Sequence, residues 1–158
     1  MAEGCECGEV PDWAGSQATG TGKRVFCVGG DDNHNHAPLD SVYSDSFGAF
    51  TVIKAKSLAY TDVTDALVQG SFYASLGPEI RELYYEDGSV YIKTSPAERI
   101  ILHCGCRRTR AVIREKGKRL VTASFAVPED AIWFRLTVMD KHGKRADTNA
   151  YFLSDLQS

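Results

Sequence analysis

No stretch of this 158-residue chain is long and apolar enough to cross a bilayer. Met1 to Asp12 places Gly, Glu and Cys where a secretory leader would carry a basic region and then an apolar one. A cytoplasmic location is the expectation. The chain also lacks an excess of positive charge: 18 Lys and Arg stand against 21 Asp and Glu, a net charge of −3. No global field is therefore available to hold nucleic acid or an anionic membrane. Cysteine is scarce and odd in number, and five of them suit a reducing compartment better than a disulfide framework. The pairs Cys5/Cys7 and Cys104/Cys106 are more closely spaced than ordinary structural zinc ligands and read as reduced thiols, while Cys27 reads as a small core residue. Apolar residues are not scarce. They make up 43% of the chain, enough for the core of one ordinary domain or two small ones.

The densest concentration of chemistry is Gly29-Gly30-Asp31-Asp32-Asn33-His34-Asn35-His36, directly behind the apolar run Arg24 to Val28, an expected strand. On an extended backbone Asp32, His34 and His36 point to one side and Asn33 and Asn35 to the other, so neighbours two apart can reach a common ion. Carboxylate oxygen and neutral imidazole nitrogen suit zinc, iron and manganese alike. The same residue types also build turns, because they tolerate left-handed backbone or bond to their own main chain. The spacing is compatible with both readings.

The stretch up to about Lys23 is rich in Gly, Ser and Thr and reads as loop, with Trp13 as an apolar anchor. Phe50 to Ala55 reads as a second strand, and Thr61 as the cap of a short helix with Asp62 and Asp65 in its first turn, Val63, Ala66 and Leu67 on one face and Gly70 at its end. From there on the pattern is that of strands. Asp87-Gly88 between Leu83-Tyr84-Tyr85 and Val90-Tyr91-Ile92 predicts a tight hairpin. Further strands are expected over Arg99 to His103, Ala111 to Arg114, Leu120 to Ala126, Ile132 to Met139 and Ala150 to Leu153, with Ile132, Phe134, Leu136 and Val138 on one face. Basic clusters at Arg107 to Arg110 and Arg114 to Arg119 fit solvated strand edges, where charge blocks edge pairing. His103 on a strand and His142 in a turn read as structural or solvated. The division falls near residue 76, between an α/β piece and an antiparallel sandwich, immunoglobulin-like in layout but without a Cys-Trp-Cys signature.

Three segments, Val28 to Asn35, Phe47 to Ala55 and Phe72 to Ile80, resemble the last part of a metal-dependent phosphoesterase of the polymerase and histidinol phosphatase (PHP) superfamily. The resemblance is sharpest from Arg24 to Ile80. In that family an Asp-x-His pair near the end of a distorted (β/α) barrel supplies the final ligands of a two- or three-metal centre, and the matching pair here is Asp32 and His34. Asp31 and His36 fall outside the motif and take no ligand role from it. Members of the family open with a His-x-His motif and collect further His and Glu ligands along a long barrel before reaching this pair, so the half of the barrel that carries the opening motif is expected to be missing here.

The resemblance implies an α+β chain. Residues 1–76 would be the end of a PHP-type barrel and residues 77–158 an immunoglobulin-like β-sandwich accessory domain. The implied function is that of a phosphoesterase fragment, inactive alone and holding no complete catalytic set. A divalent metal (zinc, manganese or iron) would belong to the full enzyme and bind this chain weakly or not at all. The implied partners are the missing N-terminal barrel half, in cis or in trans, and a phosphoester substrate. A noncatalytic β-sandwich binding or interaction module is the alternative class.

Overall fold

The structure, a computed structural model, describes residues 24–105 and 108–156. The readings of Trp13, Cys5, Cys7 and Cys106 lie outside those residues. The described chain is built mainly from two antiparallel sheets. The larger has seven strands: β1 (Phe50–Ile53), β2 (Phe72–Ser75), β9 (Arg145–Thr148), β8 (Trp133–Met139), β5 (Arg99–Cys104) and β6 (Arg108–Ile113) in that spatial order, with β10 (Tyr151–Phe152) paired to β8. The smaller has the order β3 (Ile80–Glu86), β4 (Ser89–Ala97), β7 (Leu120–Ala126). Helix α1 (Tyr60–Val68) connects β1 to β2, and a single turn, α2 (Leu153–Leu156), ends the described chain.

Alternation along the strands builds the core. Phe134, Leu136 and Val138 of β8 meet Ile100 and Leu102 of β5 and, from the smaller sheet, Val90, Ile92 and Phe125. Phe134 lies with its ring centroid 5.8 Å from Tyr85 and 5.5 Å from Tyr151, close enough for ring contacts to add to burial. Ile132, expected on that face, precedes the strand and is exposed. Asp87 and Gly88 take φ of 46° and 72°, the two positive values that a two-residue turn of this hand requires. Strand β6 forms an edge, and its exposed Arg108 and the Arg114 beyond it pair with Asp130 and Glu98. These pairs draw both carboxyls below their ordinary range, mainly through the arginine hydrogen bonds.

Several elements differ from expectation. The run Arg24 to Val28 is no strand: its backbone enters no ladder. Helix α1 begins at Tyr60 with Ala59 as its cap and no side-chain cap bond, so Thr61 lies inside it. The Ser57 hydroxyl instead accepts the Ala59 N–H and donates to Asp62. The last expected strand is cut to two residues because Leu153 already begins α2. Strand β9 carries too much charge to read as a strand. Arg145 and Asp147 sit on the face opposite the core, where Asp147 accepts from Arg135 at 3.4 Å and Arg145 at 3.2 Å. Strands β1 and β2 precede residue 76 yet share one sheet with β8 and β9, Tyr73 lying opposite Thr148.

Candidate metal centre

The Gly-Asp-His segment is mounted on the outer face of the larger sheet by side-chain bonds. The Cys27 N–H donates to Asn149 Oδ1 at 2.9 Å, and the Gly29 N–H donates to Thr51 Oγ1 at 2.8 Å. The same hydroxyl donates back to the Gly29 carbonyl at 3.0 Å. The segment is held by side chains rather than by a ladder: Asn149 of the β9–β10 connection takes the Cys27 amide, and Thr51 of β1 takes both main-chain groups of Gly29. Phe26 meets Phe72 edge-on at 5.9 Å. Gly29 lies so close to β1 that a Cβ there would sit 2.6 Å from the Phe50 carbonyl oxygen. Cys27 packs partly buried beside Ala49 and Ala74, as a small core residue would, but it is disulfide-bonded, which corrects the expectation of reduced thiols. Cys104 does fit that reading: it is free and buried, and burial pushes its pKa up against the pull of Arg110 and Arg108.

Beyond Gly30 the loop is fastened shut by three cross-links. The Phe47 N–H donates to the Asp31 carboxylate, Asn33 Nδ2 donates to Ser46 Oγ, and the His34 N–H donates to Asp45 Oδ2 at 2.8 Å. Asn33 Oδ1 also accepts the Asn35 N–H at 2.7 Å, a side-chain turn of the kind this composition favours. Asp32 and Asn35 have φ of 49° and 55°. The backbone is therefore not extended, and the alternation that would aim Asp32, His34 and His36 together does not hold in that form. Asp32 and His34 do touch, but through the main chain: His34 Nδ1 lies in hydrogen-bond contact with the Asp32 carbonyl oxygen. The Asp32 carboxylate stands 4.0 Å from the same nitrogen and is largely exposed.

What the loop does bring together is His34, His36 and Asp45. One ring nitrogen from each histidine and one carboxylate oxygen lie within 4.8 Å of one another. The two imidazoles are stacked at 5.4 Å with 14° between their planes. With Oδ2 taken by the His34 amide, Asp45 Oδ1 is buried and has no hydrogen-bond partner. The His34 amide also holds the Asp45 carboxyl below its ordinary range, helped by nearby amides and by the His36 ring and opposed by desolvation. Two imidazoles and a carboxylate are a donor set suited to zinc and its neighbours.

Of the residues singled out by sequence, His34 belongs to this cluster and Asp32 adjoins it. His36, left outside the motif, is in it, and Asp45 was missed. Its only sequence signal is a place between two serines in a polar connection. The remaining histidines lie elsewhere: His103 Nε2 contacts Thr137 Oγ1 at 3.2 Å, and His142 sits in a turn where its main-chain N–H donates to Asp140 Oδ1 at 2.8 Å. Among the described residues no helix is long and apolar enough to cross a membrane. No family model, no curated protein and no solved structure matches this chain, so the cluster is interpreted on its own geometry.

Proposed function

We propose that this chain contributes the Asp32–His34 portion of a PHP-type metal-dependent phosphoesterase whose remaining metal ligands come from other polypeptide, in cis or as a separate chain. The observation that carries this reading is the Asp32–His34 unit itself. Its imidazole is oriented by a main-chain carbonyl, as metal-binding histidines commonly are, and its carboxylate is open to a ligand from outside. A second feature supports it. Apolar side chains crowd the same part of the chain without cover: Val42 is 93% exposed, Leu58 98%, and Leu39, Tyr43, Phe47 and Tyr60 are all above 70%. Large apolar side chains left exposed in one stretch of chain would gain from burial against further polypeptide.

In such an enzyme the bound metal ions would supply an activated water and neutralise phosphoryl charge. Asp32 would serve as ligand through its carboxylate, and His34 through the ring nitrogen that the Asp32 carbonyl leaves over. The test is hydrolysis of a generic phosphomonoester and of an oligonucleotide, with manganese or zinc, by this chain alone and by the chain joined to the barrel half of a PHP phosphoesterase. The expected result is negligible turnover alone and restored turnover when joined, abolished by Asp32→Ala or His34→Ala. Robust turnover by the chain alone that Asp32→Ala removes would contradict the partial-site reading.

A noncatalytic binding module remains the second reading. It is favoured by a groove of about 740 Å³ between the two sheets, lined by Phe72, Tyr73, Tyr85, Phe134 and Tyr151 among others, within the size and composition range of small-molecule sites.

A further inference from the structure

We propose that His34, His36 and Asp45 form a three-donor site within this chain for one divalent transition-metal ion, with zinc as the best match. The site shares His34 with the phosphoesterase reading but does not depend on it. The expectation that this chain holds metal weakly or not at all rested on Asp32 and His34, with His36 as the most that could be recruited, and the fold adds Asp45 beside both histidines.

Three observations point the same way. The donor atoms already lie within 4.8 Å of one another, whereas donors about 2.0–2.2 Å from a shared zinc stand roughly 3–4 Å apart. Small rotations of exposed side chains close that difference. Each of two donors also has its other polar atom engaged, so that one atom is left for an ion. His34 Nδ1 faces the Asp32 carbonyl, leaving Nε2, and Asp45 Oδ2 takes the His34 amide, leaving Oδ1. That Oδ1 is buried and has no hydrogen-bond partner, a condition that is costly and rare for a carboxylate oxygen unless something fills the place.

The donor chemistry narrows the ion. Calcium and magnesium favour all-oxygen shells, whereas two imidazoles with one carboxylate match the three-ligand zinc sites that keep a fourth position for water or another ligand. The cross-links from Asp31 to Phe47 and from Asn33 to Ser46 hold the loop closed around the cluster. Part of the ordering cost of binding is therefore already met in the fold.

The experiment is a competition titration of the metal-stripped chain with zinc against a chromophoric chelator, repeated with cobalt so that coordination number is read from the visible spectrum. The expected result is one ion per chain in a four-coordinate site, weakened at least about tenfold by His36→Asn and by Asp45→Asn. Asp45→Asn keeps an oxygen to accept the His34 amide, and far-UV circular dichroism confirms that the sheets remain. Asp40→Asn, at an exposed carboxylate of the same polar connection outside the cluster, leaves affinity unchanged. Failure of the wild-type chain to bind zinc overturns the site. Loss of binding in Asp32→Asn with wild-type binding in His36→Asn and Asp45→Asn also overturns it, while leaving the Asp32–His34 pair of the phosphoesterase reading standing. The expected variant pattern without phosphoesterase activity in the joined protein upholds the site and removes the phosphoesterase reading alone.

Discussion

Asn149 shows how much of the site's position rests on one residue far from it in sequence. Its side chain is buried, accepts the Cys27 N–H, and donates to the Gly70 and Phe72 carbonyls at 3.0 and 3.1 Å. One amide thus ties the ligand segment, the end of α1 and the start of β2 together. Asn149→Ala leaves up to three main-chain groups without a partner at about 1–3 kcal/mol each, and a loss of roughly 2–4 kcal/mol in urea unfolding is expected. A loss under about 0.5 kcal/mol, the range of an ordinary surface substitution, would contradict this role. At this scale the sequence was informative about residue type and less so about role. Asp31, which takes no ligand role from the motif, and Asn33, expected to point away from the ligands, act as fasteners, because their side chains reach amide and hydroxyl partners across the loop. Asp45 carries no local signal, since its place in the cluster depends on a chain reversal that no spacing rule encodes.

At the scale of elements, legibility followed the strength of local pattern. The Asp87-Gly88 hairpin, strand β7 and the inward face of β8 could be read directly, because turn chemistry and period-two alternation are written in adjacent residues. Strand β9 could not, since its arginine and aspartate neutralise each other on a partly covered face and its alternation is between small and charged residues. Arg24 to Val28 misled for the opposite reason: it has strand composition, but it is anchored by side chains, Asn149 at the Cys27 amide and Thr51 at Gly29 just beyond. The β8 assignment gives a direct test. Phe134 is 1% exposed between Tyr85 and Tyr151, and Phe134→Ala should cost about 3–5 kcal/mol in equilibrium unfolding, as for other large core aromatics. A cost below about 1 kcal/mol would mean that the packed face has been misidentified.

At the scale of the molecule, two antiparallel sheets share one apolar core, with a polar, cross-linked loop on the outer face of one of them. Strand alternation made the β-rich character of the chain legible. The joining of β1 and β2 to the strands of the later half was not, because long-range pairing is decided by which edges are free rather than by any segment alone. Strands that position a loop are a common arrangement for function, and this loop is the one proposed to hold a metal ion. The most direct measurement is the nitrogen-15 chemical shift of each histidine ring as zinc is added to the metal-stripped chain. His34 and His36 are expected to change together and reach an end point at one zinc per chain, while His103, engaged with Thr137, and His142, in its turn, do not move. Unchanged His34 and His36 rings at saturating zinc, or equal movement of His142, would contradict it.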